Sequence, residues 1–358
     1  MSMNLRHQAS ISGHEVGAAV EARLPITVPI NPREIDPADI PEHGRSSWVL
    51  AARSGLYITI VLSVALATCV FSLRKYGIFG CQASGYGPDR YLSYCNATSY
   101  GDYDHGAIWF GLEPAAVNAA SNARVLFVGN SRTQFAFSSK ATSEWFSSAS
   151  ASYYLLGFSH EENYTFEAPL LRKLHPRAKV YVINIDSFFE RFETAPGKTV
   201  MRDESARTHY EEKRQWQRIQ RAVCTTVKGV CGSDETIFRS RSTGTWVVSG
   251  NRFPSEPVSY NQNINGDKLA TYTVLGKQFL PGLTADRACT ILTVVPTVKT
   301  DIKTGKAIAA ALGFNLAAPE LTGLVTFDRV HLNPESAQRW SAAFFAEAGS
   351  QIQKCLRE

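Results

Sequence analysis

The sequence predicts an α/β domain whose parallel sheet is covered by helices on both faces, preceded by one membrane-spanning helix. Two patterns lead to this prediction. After residue 123, short apolar runs without polar alternation are separated by helix-length segments, which is typical of strands that are buried on both sides. Before it, residues 55–73 read GLYITIVLSVALATCVFSL, 19 residues without a charge, which is enough to cross ~30 Å of hydrocarbon as a helix.

The composition is that of a globular chain with a modest positive charge. Its 358 residues are 44% hydrophobic, so the chain can bury a core and is not disordered throughout. The net charge of +5 is spread thinly, and the densest basic stretch, from Arg202 to Lys228, alternates with acidic residues as the solvated face of a helix does. This distribution does not favour a nucleic-acid partner.

Residues 1–54, before the span, are predicted to be a disordered cytoplasmic tail, because they hold five prolines and little periodic apolar pattern. The span starts too far along the chain to be an ordinary signal peptide. A buried core helix is the alternative, but only small hydroxyls interrupt the apolar surface, which favours a membrane helix. Basic residues flank the span on both sides, Arg53 before and Arg74 after, so the positive-inside rule leaves its orientation open.

Six cysteines follow the span, and an even number on one side of a membrane suits an oxidising compartment. We therefore expect a single-pass protein with a cytoplasmic N-terminus and a C-terminal part in the periplasm or its equivalent. Six cysteines allow fifteen connectivities, of which we expect Cys81 with Cys95, Cys224 with Cys231, and Cys289 with Cys355. Reduced thiols in a cytosolic domain are the alternative, whereas zinc is disfavoured because no C-x-x-C pair occurs.

Residues 74–122 are rich in Cys, Tyr and Gly, and their turn residues predict an irregular collar closed by a disulfide. The tyrosines could stack against sugars, although packing onto the main domain is the simpler explanation. Asp102, Asp104 and His105 could ligate a metal, but residues so close in sequence are more often hydrogen-bonders of a loop. We expect neither a metal nor another cofactor.

Residues 123–358 form the predicted α/β domain. Apolar strands are expected at 124–128, 152–156, 179–185 and 290–295, with an insertion at about 190–265. A final helix is predicted after Asn333, because this residue can cap it, Pro334 suits its first turn, and apolar residues then recur at helical spacing.

Ser131 follows the first of these strands directly, in VLFVGNSRTQF. Its hydroxyl would be exposed at the carboxyl edge of the sheet, where ligands and nucleophiles collect in open α/β sheets. The amides of a following helix could hold a developing oxyanion. The alternative is that Ser131 only caps that helix.

Asp328 and His331 stand in LVTFDRVHLNP, shortly before the final helix. A serine hydroxyl is a poor nucleophile until a base takes its proton, and an imidazole base needs a carboxylate to fix its tautomer. The spacing D-x-x-H lets both side chains turn toward one point of a loop. The sequence therefore predicts a catalytic triad of Ser131, His331 and Asp328.

These blocks resemble the SGNH/GDSL hydrolase superfamily, since Gly-x-Ser ends the first strand and D-x-x-H precedes the last helix. The resemblance covers about residues 123–352. It implies a flavodoxin-like three-layer sandwich and a serine esterase or acyl-transfer mechanism. It also implies an oxyanion hole formed by the amide of Ser131, by Gly157 and by Asn184.

Two positions depart from the family pattern. Asn130 replaces the Asp that usually precedes the nucleophile, and Asp186 stands where the family has an oxyanion-binding Asn. An ionised Asp186 would repel an oxyanion, so either Asn184 takes this role or the hole is incomplete.

The resemblance implies a membrane-anchored serine esterase or O-acyltransferase, such as an O-acetyltransferase, that acts on acyl esters of a cell-envelope glycan. The partners are then the acylated glycan, or another ester, and the lipid bilayer. Transfer would also need a multi-span acyltransferase or polysaccharide-synthesis complex, because a single span cannot carry an acyl donor across. The altered Asn block leaves open a catalytically inactive scaffold or glycan-binding protein of this fold, and a lipid esterase would differ only in substrate.

Overall fold

The computed structural model describes residues 47–96, 100–227, 229–250 and 254–358. Residues 1–46 of the predicted tail lie outside the described residues. The chain divides into two units, Met1–Ile60 and Val61–Glu358, and all the strands given below belong to the second unit.

Helices and strands alternate along most of the described chain. The helices are, in chain order, α1 (Ser47–Tyr76), α2 (Asp104–Trp109), α3 (Pro114–Asn122), α4 (Ser131–Phe137), α5 (Lys140–Ala149), α6 (Tyr164–Leu174), α7 (Ala195–Arg202), α8 (Ala206–Thr226), α9 (Gly266–Phe279), α10 (Ile302–Leu312) and α11 (Pro334–Arg357). The strands are β1 (Arg90–Cys95), β2 (Gly101–Asp102), β3 (Val125–Asn130), β4 (Tyr153–Phe158), β5 (Val180–Asn184), β6 (Thr236–Ser240), β7 (Trp246–Ser249), β8 (Glu256–Pro257), β9 (Thr290–Thr293), β10 (Asn315–Leu316) and β11 (Val325–Thr326).

Helix α1 contains the predicted span. Its stretch Arg53–Ser72 has a mean hydropathy of 2.1, and none of it is buried against other described residues. It is therefore long and apolar enough to cross a membrane, and its exposure is unlike that of a core helix.

The helix begins at Ser47, so residues 47–54 of the predicted tail are helical instead of disordered. They read SWVLAARS, in which good helix formers extend the helix beyond its apolar part.

A five-stranded parallel sheet forms the centre of the second unit, with the order β10-β9-β5-β3-β4. Numbered by their appearance in this sheet, the strands run 2-1-3-4-5, which is one of the common orders of doubly wound α/β proteins. Every residue of β3, β4, β5 and β9 is buried. The prediction of a parallel sheet from four apolar runs is confirmed.

Alternate residues of each central strand point to opposite faces of the sheet. Leu126 and Val128 pack with apolar residues of α6, α9 and α10, whereas Val125 and Phe127 pack with those of α4, α5 and α11. Helices therefore cover both faces and make three layers, which explains why these strands show no polar alternation. The final helix starts as predicted, because Asn333 Oδ1 accepts from the Ser336 amide at 2.8 Å.

The collar and the insertion together form a second sheet. It is antiparallel, with the order β2-β1-β6-β7, so two strands come from each segment. The prediction that residues 74–122 are irregular is wrong, because β1 pairs with a strand about 145 residues further along the chain, which local turn signals do not reveal. Tyr91, Tyr100 and Tyr103 are buried in the core, so these collar tyrosines pack rather than offer faces to sugars.

The insertion also covers β4, which lies at an edge of the parallel sheet. The Leu155 amide donates to the Thr243 carbonyl at 2.9 Å, and the fully buried Arg239 donates to the carbonyls of Leu155, at 3.1 Å, and Gly157. The charge of Arg239 is balanced by Asp104, whose Oδ2 lies 2.7 Å from Nη2. The insertion thus satisfies backbone groups that an open sheet edge would leave unpaired.

The six cysteines after α1 form three disulfides, and the predicted pairing is confirmed: Cys81–Cys95, Cys224–Cys231 and Cys289–Cys355. The third closes the longest loop, of 66 residues, and joins the segment just before β9 to α11. Cys69, within α1, has no disulfide partner in the described part of the chain. Three disulfides are typical of a domain that matures in an oxidising compartment.

The disulfides should differ in their contribution to stability because their loops differ in length. In the chain-entropy model, replacing Cys289 and Cys355 by Ala lowers the free energy of unfolding by about 4 kcal/mol. The same change at Cys224 and Cys231, whose loop spans 7 residues, costs only about 2 kcal/mol. Urea unfolding of the full chain in neutral detergent measures both losses, and equal losses would contradict the expectation.

Candidate active site

Ser131 is the first residue of α4 and follows β3 directly. The turn depends on Gly129, whose φ of +148° is rarely adopted by other residues and where a Cβ would collide with Thr133 Oγ1. Asn130 caps the helix, since its side chain accepts from the Arg132 amide at 3.0 Å. The alternative that Ser131 serves as the cap is therefore wrong, and its hydroxyl is left for another partner.

That partner is His331. Its Nε2 lies 2.8 Å from Ser131 Oγ, and its Nδ1 lies 2.6 Å from Asp328 Oδ2. The loop that holds the pair is tight, because Asp328 Oδ1 also accepts from the amides of Val330, at 3.2 Å, and His331, at 2.9 Å. Arg329 between them has a φ of +76°. The structure thus brings the three predicted triad residues into one hydrogen-bonded line.

The protonation state of Asp328 follows from its surroundings. Partial burial acts to raise the pKa of its carboxyl, but the hydrogen bonds and the charge of His331 outweigh this effect and hold the pKa below its ordinary value. Asp328 is therefore ionised at neutral pH. An ionised carboxylate at Nδ1 fixes the tautomer that leaves Nε2 free to take a proton, and it stabilises the imidazolium that then forms.

Two phenylalanine rings fix the orientation of His331. The ring centre of Phe135 lies 4.5 Å from that of the imidazole, and Phe327 stacks at 5.6 Å with an interplanar angle of 23°. The side chain of His331 is only 16% exposed, so its ring has little room to turn away from Ser131. The sequence analysis missed both rings, although each lies within four residues of a triad member.

Gly157 lies in β4, in register with Gly129 of β3, and is buried. Its carbonyl accepts from Gln134 Nε2 at 3.0 Å and from Arg239. A Cβ at this position would lie 2.6 Å from the Asn130 carbonyl oxygen, so only glycine fits behind the turn that carries the nucleophile. The role of its amide in binding an oxyanion stays a prediction.

Asn184 ends β5, and its side chain is fully buried. Its Oδ1 accepts from the amides of Val295, at 3.2 Å, and Asp186, at 3.4 Å. Its Nδ2 has no hydrogen-bond partner among the described residues. A buried donor without a partner costs about 1–3 kcal/mol, and such groups occur where a ligand or water completes the site. The amide is thus a buried donor without a partner among the described residues, and its oxyanion role stays a prediction.

Asp186, which was expected to repel an oxyanion, is paired with cations. It forms an ion pair with Arg132, the residue after Ser131, and its Oδ1 lies 3.7 Å from Lys268 Nζ. Lys268 also contacts Asp301, at 3.2 Å. The negative charge of Asp186 is therefore compensated at the site itself. The sequence offers no signal for this pair, because its members are 54 residues apart.

The residues considered as metal ligands have another role. The buried His105 lies between Asp102 Oδ1 and Glu162 Oε2, each at 2.9 Å from one of its ring nitrogens. Burial acts to lower the pKa of His105, but the two carboxylates outweigh it and raise that pKa to about 10. Tyr210 donates to the other oxygen of Asp102 at 3.1 Å. These contacts form a buried ion network that joins the collar, α8 and the segment after β4.

Comparisons with protein-family models, with curated proteins and with solved structures found no match to this chain. The functional interpretation therefore rests on the residues and their geometry.

The ion network predicts a specific pH dependence of stability. Because the folded protein raises the pKa of His105 to about 10, its contribution is fully present below the ordinary histidine pKa of ~6.5. It is lost as pH rises from there toward the folded value, with a slope of up to about 1.4 kcal/mol per pH unit. We expect the free energy of unfolding, measured in urea between pH 6 and 9, to fall more steeply for the wild type than for His105→Gln. Parallel profiles would rule out this role of His105.

Proposed function

We propose that the protein is a membrane-anchored serine esterase or O-acyltransferase that acts on acyl esters of a cell-envelope glycan. The observation that carries the proposal is the hydrogen-bonded line from Ser131 through His331 to Asp328. A half-buried serine at a strand end, an imidazole within 2.8 Å and an ionised carboxylate behind it are the parts that nucleophilic acyl transfer needs.

In this mechanism Ser131 Oγ attacks the ester carbonyl while His331 Nε2 takes the hydroxyl proton. Asp328 stabilises the imidazolium through Nδ1. When the tetrahedral intermediate collapses, the bond to the alcohol oxygen breaks, and His331 returns the proton to that oxygen. Water or an acceptor hydroxyl then attacks the acyl-enzyme, with His331 again taking the proton, and Ser131 is released.

The developing oxyanion needs donors close to Ser131. The amide of Ser131 is suitable, because the first amides of a helix have no partner within it and carry the positive end of the helix dipole. We assign Asn184 Nδ2 as the second donor, because it has no partner among the described residues. We assign the Gly157 amide as the third. The Arg132 ion pair removes the repulsion that an unpaired Asp186 would exert.

The finer assignments of fold and location belong to the same proposal. The sheet order and the triad support an SGNH-type, flavodoxin-like domain. The span and the three disulfides support a cytoplasmic N-terminus and a periplasmic or equivalent site for the domain. If the acyl group is transferred to a glycan, a multi-span acyltransferase or polysaccharide-synthesis complex must supply the donor.

The triad predicts that Ser131 is required for turnover. With p-nitrophenyl acetate and the full chain in neutral detergent, Ser131→Ala should lower kcat by about 1,000-fold or more. The matched control is Ser143→Ala, which removes an exposed hydroxyl from α5 and should keep wild-type kcat. Equal rates for all three proteins would favour the catalytically inactive scaffold or glycan-binding protein.

A second variant tests the role of the carboxylate. Asp328→Asn keeps the size of the side chain but can no longer hold the required tautomer or stabilise the imidazolium, so kcat should fall by about 100-fold to 10,000-fold. KM should change little, because Asp328 does not contact the ester in this mechanism. Steady-state kinetics with the same substrate measure both constants, and an unchanged kcat would exclude Asp328 from the triad.

A further inference from the structure

A cleft lined by arginines lies where α8 meets the collar. Its volume is about 110 Å³. The arginines that line it come from three elements, namely Arg214, Arg218 and Arg221 of α8, Arg90 of β1, and Arg241 after β6. The sequence analysis interpreted the basic stretch of α8 as a solvated helix face. The structure leaves Arg218 and Arg221 exposed, as predicted, and also places the three arginines of this helix beside two more that are distant in sequence.

The charge of the cleft is not balanced by the protein. Among the described residues, Glu113 is the only carboxylate that lines it, and its Oε2 pairs with Arg241 Nε at 2.8 Å. The other four arginines have no ion-pair partner among the described residues. Like charges at i and i+4, as at Arg214 and Arg218, repel each other on a helix. Five arginines line this small cavity and one carboxylate faces them, so the cleft carries a net positive charge that a bound anion would neutralise.

Two of the arginines that line the cleft are positioned by contacts with neighbouring groups. Arg241 Nη1 donates to the Arg90 carbonyl at 2.7 Å, and its guanidinium lies over the ring of the buried Tyr91 at 5.4 Å. Arg221 lies over the ring of Tyr86 at 5.7 Å. A guanidinium whose position is already fixed loses little conformational freedom when it binds an oxyanion. Arg241 and Arg221 are thus positioned before any ligand arrives.

We propose that this arginine cleft binds a phosphate-type oxyanion, distinct from the ester that reacts at Ser131. Guanidinium groups match phosphate oxygens in forked pairs of hydrogen bonds. A phosphate monoester or pyrophosphate carries more charge than a carboxylate, and the cavity of about 110 Å³ has room for a small tetrahedral group.

Two sources share this chemistry, a phospholipid headgroup and a phosphorylated soluble or glycan-linked ligand. A headgroup is considered because the cleft is linked to the end of α1: Gln220 of α8 donates to the carbonyls of Ile78 and Cys81, two and five residues after that helix. Gln220 also accepts from Tyr86, which lines the cleft.

The test uses the full chain in neutral detergent and inorganic pyrophosphate as the probe. Titration calorimetry should detect binding to the wild type, and Arg218→Ala/Arg221→Ala should raise the Kd by about 10-fold or more. The matched control is Arg202→Ala/Arg207→Ala, which also removes two positive charges from exposed side chains but leaves the cleft intact. The control and Ser131→Ala should bind as the wild type does.

A second experiment distinguishes a phospholipid headgroup from a phosphorylated non-lipid ligand. Phosphatidylglycerol added to the micelles should raise the Tm of the wild type and of the control, relative to phosphatidylcholine, if the ligand is a headgroup. Pyrophosphate binding without this lipid effect assigns the cleft to a phosphorylated non-lipid ligand. The proposal is overturned if neither probe acts beyond sodium chloride of equal ionic strength, or if the cleft variant responds as the control does.

Discussion

The burial of one parallel sheet between two helix layers is the constraint on which the candidate active site depends. Because β3 is buried on both faces, it lies inside the sheet, between β5 and β4, and its last residues reach the carboxyl edge. Helix α11 packs on the same sheet through Trp340 and Phe344, which positions the loop just before it. Ser131 and His331 are 200 residues apart and meet at 2.8 Å for this reason.

Buried charges join the rest of the protein to this sheet. Arg239 connects the insertion to β4 and pairs with Asp104, while His105 binds Asp102 and Glu162. Isolated charges in these positions would be strongly destabilising, whereas paired charges favour a single arrangement. The network therefore specifies how the collar and the insertion pack over the edge of the sheet, next to the strands that carry the site.

Local patterns in the sequence were sufficient for much of the fold and of the site. Four apolar runs located the central strands, the uncharged stretch located the helix of the span, and cysteine spacing led to the three disulfides. Ser131 and the pair Asp328 and His331 were found because the strand end and the D-x-x-H spacing are each local. The prediction of an irregular collar was wrong, because the residues of β1 and β6 show no alternation that reveals the pairing of these strands.

The sequence by itself determined which segments are apolar enough to be buried or to span a membrane, and which residues could act as nucleophile, base and carboxylate. Only the tertiary structure decided that Arg132 neutralises Asp186 and that five arginines line one cleft. The reason is physical. Hydrophobic periodicity and capping act within a few residues of the chain, whereas ion pairs and clefts arise where distant segments are brought together by packing.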